Sequence, residues 1–449
     1  MAISRRRFLD RSIKGGFSAA LGAAGMRTVS KAVAPSDKVV VGVMGVGGRG
    51  TQLTTLFAAR PDVEIAYICD VNAKRLPGAV KLVEGKKGKT PKTVGNFQRI
   101  LEDKSVDALV CATPDHWHSL ATVLACQAGK DVYVEKPASH DIWEGRKMVE
   151  AARKYNRVVQ VGMQNRSSSY GGTARDLIRS GKLGSIHLVR VYNMLNRPPV
   201  ENIPDSAPPE GFDWDMWLGP GPLRPYNPKY FRRVFWDFNG GIMTDDGVHQ
   251  LDLARRVIGL SYPQSAHHAG GKLFFNDIAE TPDTSVVTYE YDGLTLVFEE
   301  TWWTPYMIKT PNEVRESTTL FPDWYPFLGT RIEIYGSDGM MILGRQGGGW
   351  QLFDREGHKV ASDKQTHSAM QAAHVENFIS CIHSRKHPNA DVEEGHISAA
   401  MCHMANISYR LGDRKLVFDS AREAFTDDHE ANQYLRRTYR APWVVPENV

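Results

Sequence analysis

Directly after a first strand-like run, Val39 to Met44, the chain reads Gly45-Val46-Gly47-Gly48-Arg49-Gly50 and then enters a helical stretch, Thr51 to Ala59. A G-x-G-x-x-G between a strand and a helix predicts a dinucleotide-binding turn. Gly45 makes the tight turn, Gly47 lets the backbone approach a pyrophosphate, and Gly50 allows close packing of the helix. Gly48 and Arg49 complete the loop, and the helix N-terminus offers free N–H groups to phosphate oxygens. Further apolar runs at Val63 to Asp70, Ala108 to Thr113, Val132 to Glu135 and Val158 to Met163 alternate with helical segments such as Asp141 to Tyr155. That alternation forces crossover connections and a parallel sheet, so residues 38–165 are expected to form a Rossmann domain within an α/β fold.

Carboxyl ends of parallel strands are where such sheets bind ligands. Asp70 ends the second run, 25 positions after Gly45. A carboxylate there suits the adenosine ribose hydroxyls and repels a 2′-phosphate, which favours NAD, while Arg49 and Arg75 keep NADP open. The alternative is that Asp70 caps the next helical turn. Later strand ends carry Thr113, Pro114, His116 and His118, and then Glu135 and Lys136 before Pro137. These residues are expected to line the cofactor crevice. Taken alone, a lysine before a proline at a strand end reads as a surface charge.

Beyond residue 165 the texture changes. Alternating runs at Ile186 to Tyr192, Ser285 to Tyr291, Leu294 to Thr301, Arg331 to Gly336 and Met340 to Leu343 are joined by turn pairs such as Asp292-Gly293 and Asp338-Gly339. They predict hairpins, and hence a C-terminal α+β domain over 166–449 with a large, open, mixed but mostly antiparallel sheet for substrate binding and oligomerisation. Asn196 to Phe238 is too long and too rich in Pro and aromatics for a plain connector, which points to a structure capping a site. Asp245 and His249 stand four apart, with Asp252 a further turn on, so all three are expected on one helix face. A histidine of near-neutral pKa suits removal of a carbinol proton. A helix-capping Asp/His pair is the structural alternative. A metal site is disfavoured, because no third ligand has suitable spacing. Trp214, Trp217, Tyr226, Tyr230, Phe231 and Trp236 could hold the C–H face of a sugar or simply pack; Tyr226, Trp236, Gln164 and Arg166 are the candidate substrate contacts.

The ordered set G-x-G-x-x-G, A-T-P-x-x-x-H ending at His118, E-K-P at Glu135 to Pro137 and D-x-G-x-H at Asp245 to His249 resembles that of the Gfo/Idh/MocA oxidoreductases. The resemblance implies an NAD(P)-dependent oxidoreductase acting on the CH–OH of a sugar, glycoside or cyclitol. It gives Lys136 contact with the nicotinamide ribose and the substrate hydroxyl, His249 the acid/base role, and Asp245 the orienting of substrate or imidazole. It also implies a homo-oligomer packed through the open sheet. Asp246 beside Asp245 departs from plain expectation, since a second carboxylate could compete for the orienting role. An NAD-dependent glycosidase running a redox-neutral oxidation and elimination is the alternative activity, and a non-catalytic sugar-binding scaffold is a weaker one.

Arg5-Arg6-Arg7-Phe8-Leu9, a small-residue stretch from Gly15 to Met26 and Ala32-Val33-Ala34 resemble a twin-arginine (Tat) export signal over residues 1–34. A basic N-terminal arm or a non-cleaved helix is the other reading. The signal implies the Tat translocase as a transient partner and a periplasmic mature protein with no membrane anchor. Residues 1–34 hold seven Lys or Arg against Asp10, a net of +6, so the chain's +4 becomes −2 without them. Nucleic-acid binding is disfavoured, because the basic excess lies in that segment. Five cysteines without paired spacing suggest neither disulfides nor zinc.

Overall fold

The computed structural model describes residues 38–325 and 328–449; the export-signal expectation lies outside the described residues. Six strands, β1 (Val39–Met44), β2 (Val63–Cys69), β3 (Lys92–Val94), β4 (Ala108–Cys111), β5 (Asp131–Val134) and β6 (Val159–Val161), form an all-parallel sheet in the order β3-β2-β1-β4-β5-β6. The order reverses between β1 and β4, which opens a crevice at their carboxyl ends. At the centre of the sheet, buried on both faces, β1 and β4 carry unbroken apolar runs where a one-sided sheet would alternate. The helix Ile142–Lys154 begins where the Asp141 side chain accepts from the Glu144 N–H, so the expected start at Asp141 is its cap.

The second sheet has ten strands: β7 (Ile186–Met194), β8 (Ser265–Gly271), β9 (Thr284–Tyr291), β10 (Leu294–Thr301), β11 (Ile332–Gly336), β12 (Met340–Gly344), β13 (Gly349–Phe353), β14 (Lys359–Asp363), β15 (Leu416–Asp419) and β16 (Ala424–Phe425). Their order is β14-β13-β12-β11-β7-β10-β9-β8-β15-β16, with β7 and β10 parallel and the other pairs antiparallel. Asp292-Gly293 makes a two-residue hairpin between β9 and β10, with Gly293 at φ +68°.

The division at residue 165 is not a clean boundary. The helix His367–Ser384 returns to the first sheet, where Val375, Phe378 and Ile379 share a core with Val41, Leu53, Phe57 and Tyr133. A segment near the C-terminus also straps the halves together. Arg437 donates to Glu144 (2.7 Å) and to the His116 carbonyl (2.6 Å). Among the described residues no helix is long and apolar enough to cross a membrane.

Candidate active site

One wall of the crevice is the glycine turn. Gly45 sits at φ +84°, and a Cβ there would lie 2.9 Å from the Ala112 carbonyl oxygen. A Cβ on Gly50 would come within 1.8 Å of the Gly45 carbonyl oxygen, so the helix Gly48–Ala58 can approach the turn only without a side chain at that position. No side chain caps this helix, leaving its first N–H groups directed to the crevice. Asp70 accepts from the Val46 N–H (2.9 Å) and the Asn72 N–H (2.8 Å), while Arg75 stands 3.7 Å away. The carboxylate therefore braces the glycine turn and keeps lone pairs for a ribose; the helical cap that follows is Asn72, not Asp70. Gly45, Gly47, Gly48, Arg49, Asp70, Thr113 and Pro114 line one continuous cavity, and Pro209, Phe212, Met216, Tyr226 and Phe231 of the long segment form its opposite wall. This geometry fits a dinucleotide laid along the turn.

Several expected cofactor contacts have structural work. His116 is fully buried, its Nε2 donates to the Trp217 carbonyl (2.8 Å), and burial pushes its pKa down to about 3. His118 bridges the Pro137 and Thr113 carbonyls (2.6 and 2.9 Å), tying two strand ends together. Glu135 accepts from Arg49 (2.8 Å) and from Gln164 (3.3 Å). Burial would raise its carboxyl pKa, but Arg49 outweighs burial and holds it low. Gln164 is thus a buried support and not a surface open to substrate.

Lys136 leaves the end of β5 and meets the second domain at Asp245. Its ammonium donates to the Asp245 carboxylate (2.7 Å) and to that residue's own carbonyl. Arg233 also donates to this carboxylate, and Arg197 stands 3.5 Å from it. Burial would raise the Asp245 pKa, yet Lys136 and Arg233 hold it well below the usual carboxylate range. Asp246 accepts from Arg345 (2.8 Å) and Lys309 (3.1 Å) and is likewise held low against the cost of burial. The second carboxylate therefore has its own cations and does not compete for Lys136.

Asp245 makes no hydrogen bond to His249. Residues Met243–Gly247 form a π-helical turn, which winds with more residues per turn than an α-helix and rotates Asp245 away from the i+4 position. His249 is buried, and its Nδ1 has no hydrogen-bond partner among the described residues. Burial, with Lys136 and Arg345 nearby, lowers its pKa well below 6.5, so the imidazole is neutral. Asp252 does not extend the site: it accepts from Arg166 (2.7 Å) and Ser398 (2.8 Å) in a buried network. Arg166 is corrected with it, because a guanidinium fixed between Asp252 and Glu394 is not free for a substrate.

Most of the aromatic segment packs on itself. Trp214 stacks on Trp217 at 4.6 Å, and Tyr226 meets Trp214 edge-on at 5.1 Å while also facing the cofactor cavity. Trp236 lies elsewhere, against Tyr409 and under the Arg410 guanidinium, so the expected substrate contact there is also corrected. Trp302 takes a place in a second cavity with Arg197, Arg232, Arg233, Asp245 and Asp246. Sequence reasoning passed over Arg197, Arg233, Lys309 and Arg345. Only the Arg232-Arg233 pair inside the aromatic segment carried a visible signal. No cluster of three potential metal ligands occurs among the described residues.

Residues 39–163 match an oxidoreductase family described as having an NAD-binding Rossmann fold; residues 172–342 and 336–445 match C-terminal domains of the same family. The chain is 25% identical over 219 residues to myo-inositol 2-dehydrogenase of Thermotoga maritima, covering 49% of this chain and 54% of that protein. It is 32% identical over 174 residues to a glycosyl hydrolase family 109 protein of Saccharopolyspora erythraea, covering 34% and 38%. The chain thus spans about half or less of the length of these curated relatives. A solved levoglucosan dehydrogenase, in complex with NADH and levoglucosan, shares the fold with a TM-score of 0.64 at 15% identity, over 85% of this chain and 99% of that one.

Proposed function

The chain belongs to the Gfo/Idh/MocA oxidoreductase family and carries its NAD-binding Rossmann domain, and from that premise we propose that it oxidises or reduces a hydroxyl of a sugar, glycoside or cyclitol. The observation that carries the proposal is the meeting of Lys136 with Asp245 across the domain boundary, beside a neutral histidine. NAD bound along the glycine turn would supply the hydride acceptor or donor. The chain's own residues handle the proton. Two N–H donors of Lys136 are engaged by Asp245, which leaves the third for a substrate oxygen. Nδ1 of His249 is buried, so Nε2 is the nitrogen that exchanges a proton with the alcohol. Asp245 orients Lys136 and not the imidazole.

The match to a family 109 glycosyl hydrolase supports a second reading, a redox-neutral cycle that ends in loss of an aglycone. Incubating the protein with alcohols and with glycosides, while following both released sugar and absorbance of the bound nucleotide, separates the two. Lasting reduction of the nucleotide supports the dehydrogenase; released aglycone without net reduction supports the glycosidase. Export through the Tat pathway to the periplasm and homo-oligomerisation through the ten-stranded sheet remain part of the proposal. Replacing Arg5 and Arg6 by Lys is expected to retain the precursor in the cytoplasm, and normal delivery would refute Tat dependence.

A further inference from the structure

The cavity behind Asp245 holds more positive charge than its acids balance. Lys136, Arg197, Arg232, Arg233, Lys309 and Arg345 surround it or reach its carboxylates, and the facing acids are Asp245, Asp246 and the buried Asp115. Glu135, which also acts on Lys136 and Arg233, is taken up by Arg49 outside the cavity (2.8 Å), and Glu300 is buried and pushed up to about 8, so it adds no negative charge near neutral pH. Six cations against three carboxylates leave an excess even with Asp115 ionised.

The excess is concentrated on two side chains. Asp245 is satisfied by Lys136 and Arg233, and Asp246 by Arg345 and Lys309. Arg197 stands at 3.5 Å from Asp245, and among the described residues Arg232 reaches only the Pro198 carbonyl, at 3.4 Å. Both line the cavity, and Arg197 is 39% exposed. A guanidinium is a rigid fork of donors that matches a carboxylate or phosphate two bonds at a time. Trp302 and Ile242 line the same cavity and supply apolar surface for the C–H face of a ring.

We propose that the substrate is an acidic sugar, bearing a carboxylate or a phosphate that Arg197 and Arg232 bind while its hydroxyl faces Lys136. This rests on the dehydrogenase reading and names its substrate class. The test is calorimetric titration of the full, NAD-loaded protein with matched sets: glucose, glucuronate and glucose 6-phosphate; galactose, galacturonate and galactose 6-phosphate; myo-inositol and its monophosphate. In at least one set the acidic member is expected to bind roughly 10- to 100-fold more tightly than the neutral one, the worth of a charge-assisted pair of bonds. The advantage shrinks as salt rises from about 50 to about 500 mM. The carboxylate and phosphate members compete as alternatives, and the tighter one identifies the group. The Arg197→Gln/Arg232→Gln variant is expected to lose the preference while its NAD content stays unchanged. Neutral sugars binding as tightly as acidic ones, or a preference that survives in the double variant, overturns the inference and leaves the sugar reading standing. No binding by any member overturns the sugar reading itself, and the inference with it.

Discussion

The glycine turn and the basic cavity border the same crevice but are assembled differently. The turn takes nearly all its parts from residues 44–50 and 69–75, held by backbone geometry: a positive φ at Gly45, a missing Cβ at Gly50, and Asp70 bracing the Val46 N–H. The cavity gathers Lys136, Arg197, Arg233, Asp245, Lys309 and Arg345 from separate stretches and is held by ion pairs. A contiguous site tolerates almost no change in shape, whereas a convergent site tolerates changes of shape but not of charge.

The largest expected effect tests the convergent side. His249→Ala is expected to lower turnover roughly 100- to 10,000-fold, the contribution of a positioned acid/base, with bound NAD near wild type. Steady-state kinetics with nucleotide quantification checks it, and loss of NAD together with activity would show that the two regions are not separable. Because the His249 pKa is lowered, the imidazole is already unprotonated above pH 6.5. Turnover should therefore be flat above that pH with respect to this group and fall only well below it. An acid limb centred at 6.5 would contradict the burial argument.

Next comes the contiguous side. Gly50→Ala forces the helix off the turn, since 1.8 Å to a carbonyl oxygen is far inside contact distance. Nucleotide affinity is expected to fall roughly 10- to 100-fold, equivalent to displacing one well-placed set of phosphate contacts. Fluorescence titration measures it; unchanged affinity would mean that the turn is less shape-dependent than the cavity.

A smaller effect concerns the support under the cavity. Glu300 accepts from Asn193 (3.1 Å), which in turn accepts from Gln250 (2.8 Å), the partner of Arg345. Its folded pKa is raised from 4.5 to about 8, so stability is fully present below pH 4.5 and is lost as pH rises through 8. Glu300→Gln removes that loss: the melting temperature should rise by roughly 2 to 4 °C at pH 9 and not at all at pH 4.5. An equal shift at both values would refute the protonated state. The smallest effect is Trp236→Leu, expected to leave turnover within about twofold, because the ring packs on Tyr409 and Arg410 and not on the crevice.

The same contrast explains what could be read in advance. The first sheet, the turn, Asp70 and the hairpins were legible because spacing along the chain determines them, and Lys136, Asp245 and His249 stood in recognisable motifs. Two kinds of residue misled. Gln164, Arg166, His116 and His118 lie beside the crevice in sequence, but burial sets them to holding backbone carbonyls and carboxylates. The Asp245–His249 spacing suggested a shared helix face, and a π-helical turn, which a residue pattern does not announce, separates them. Arg197, Lys309 and Arg345 had no local signal, since a cation past a strand end or in a loop looks the same in sequence whether or not it later meets an aspartate.

The helix His367–Ser384 has a consequence for synthesis. Phe378 and Ile379 fill the face of the first sheet beside Phe57 and Tyr133, so a chain emerging from the ribosome has made every strand of that sheet by residue 161 yet still lacks part of its core. At roughly 5 to 20 residues per second, the growing chain waits on the order of 10 to 40 s for those side chains. During that interval an apolar surface is open to chaperones, and the dinucleotide domain becomes fully packed only once most of its partner domain has been translated.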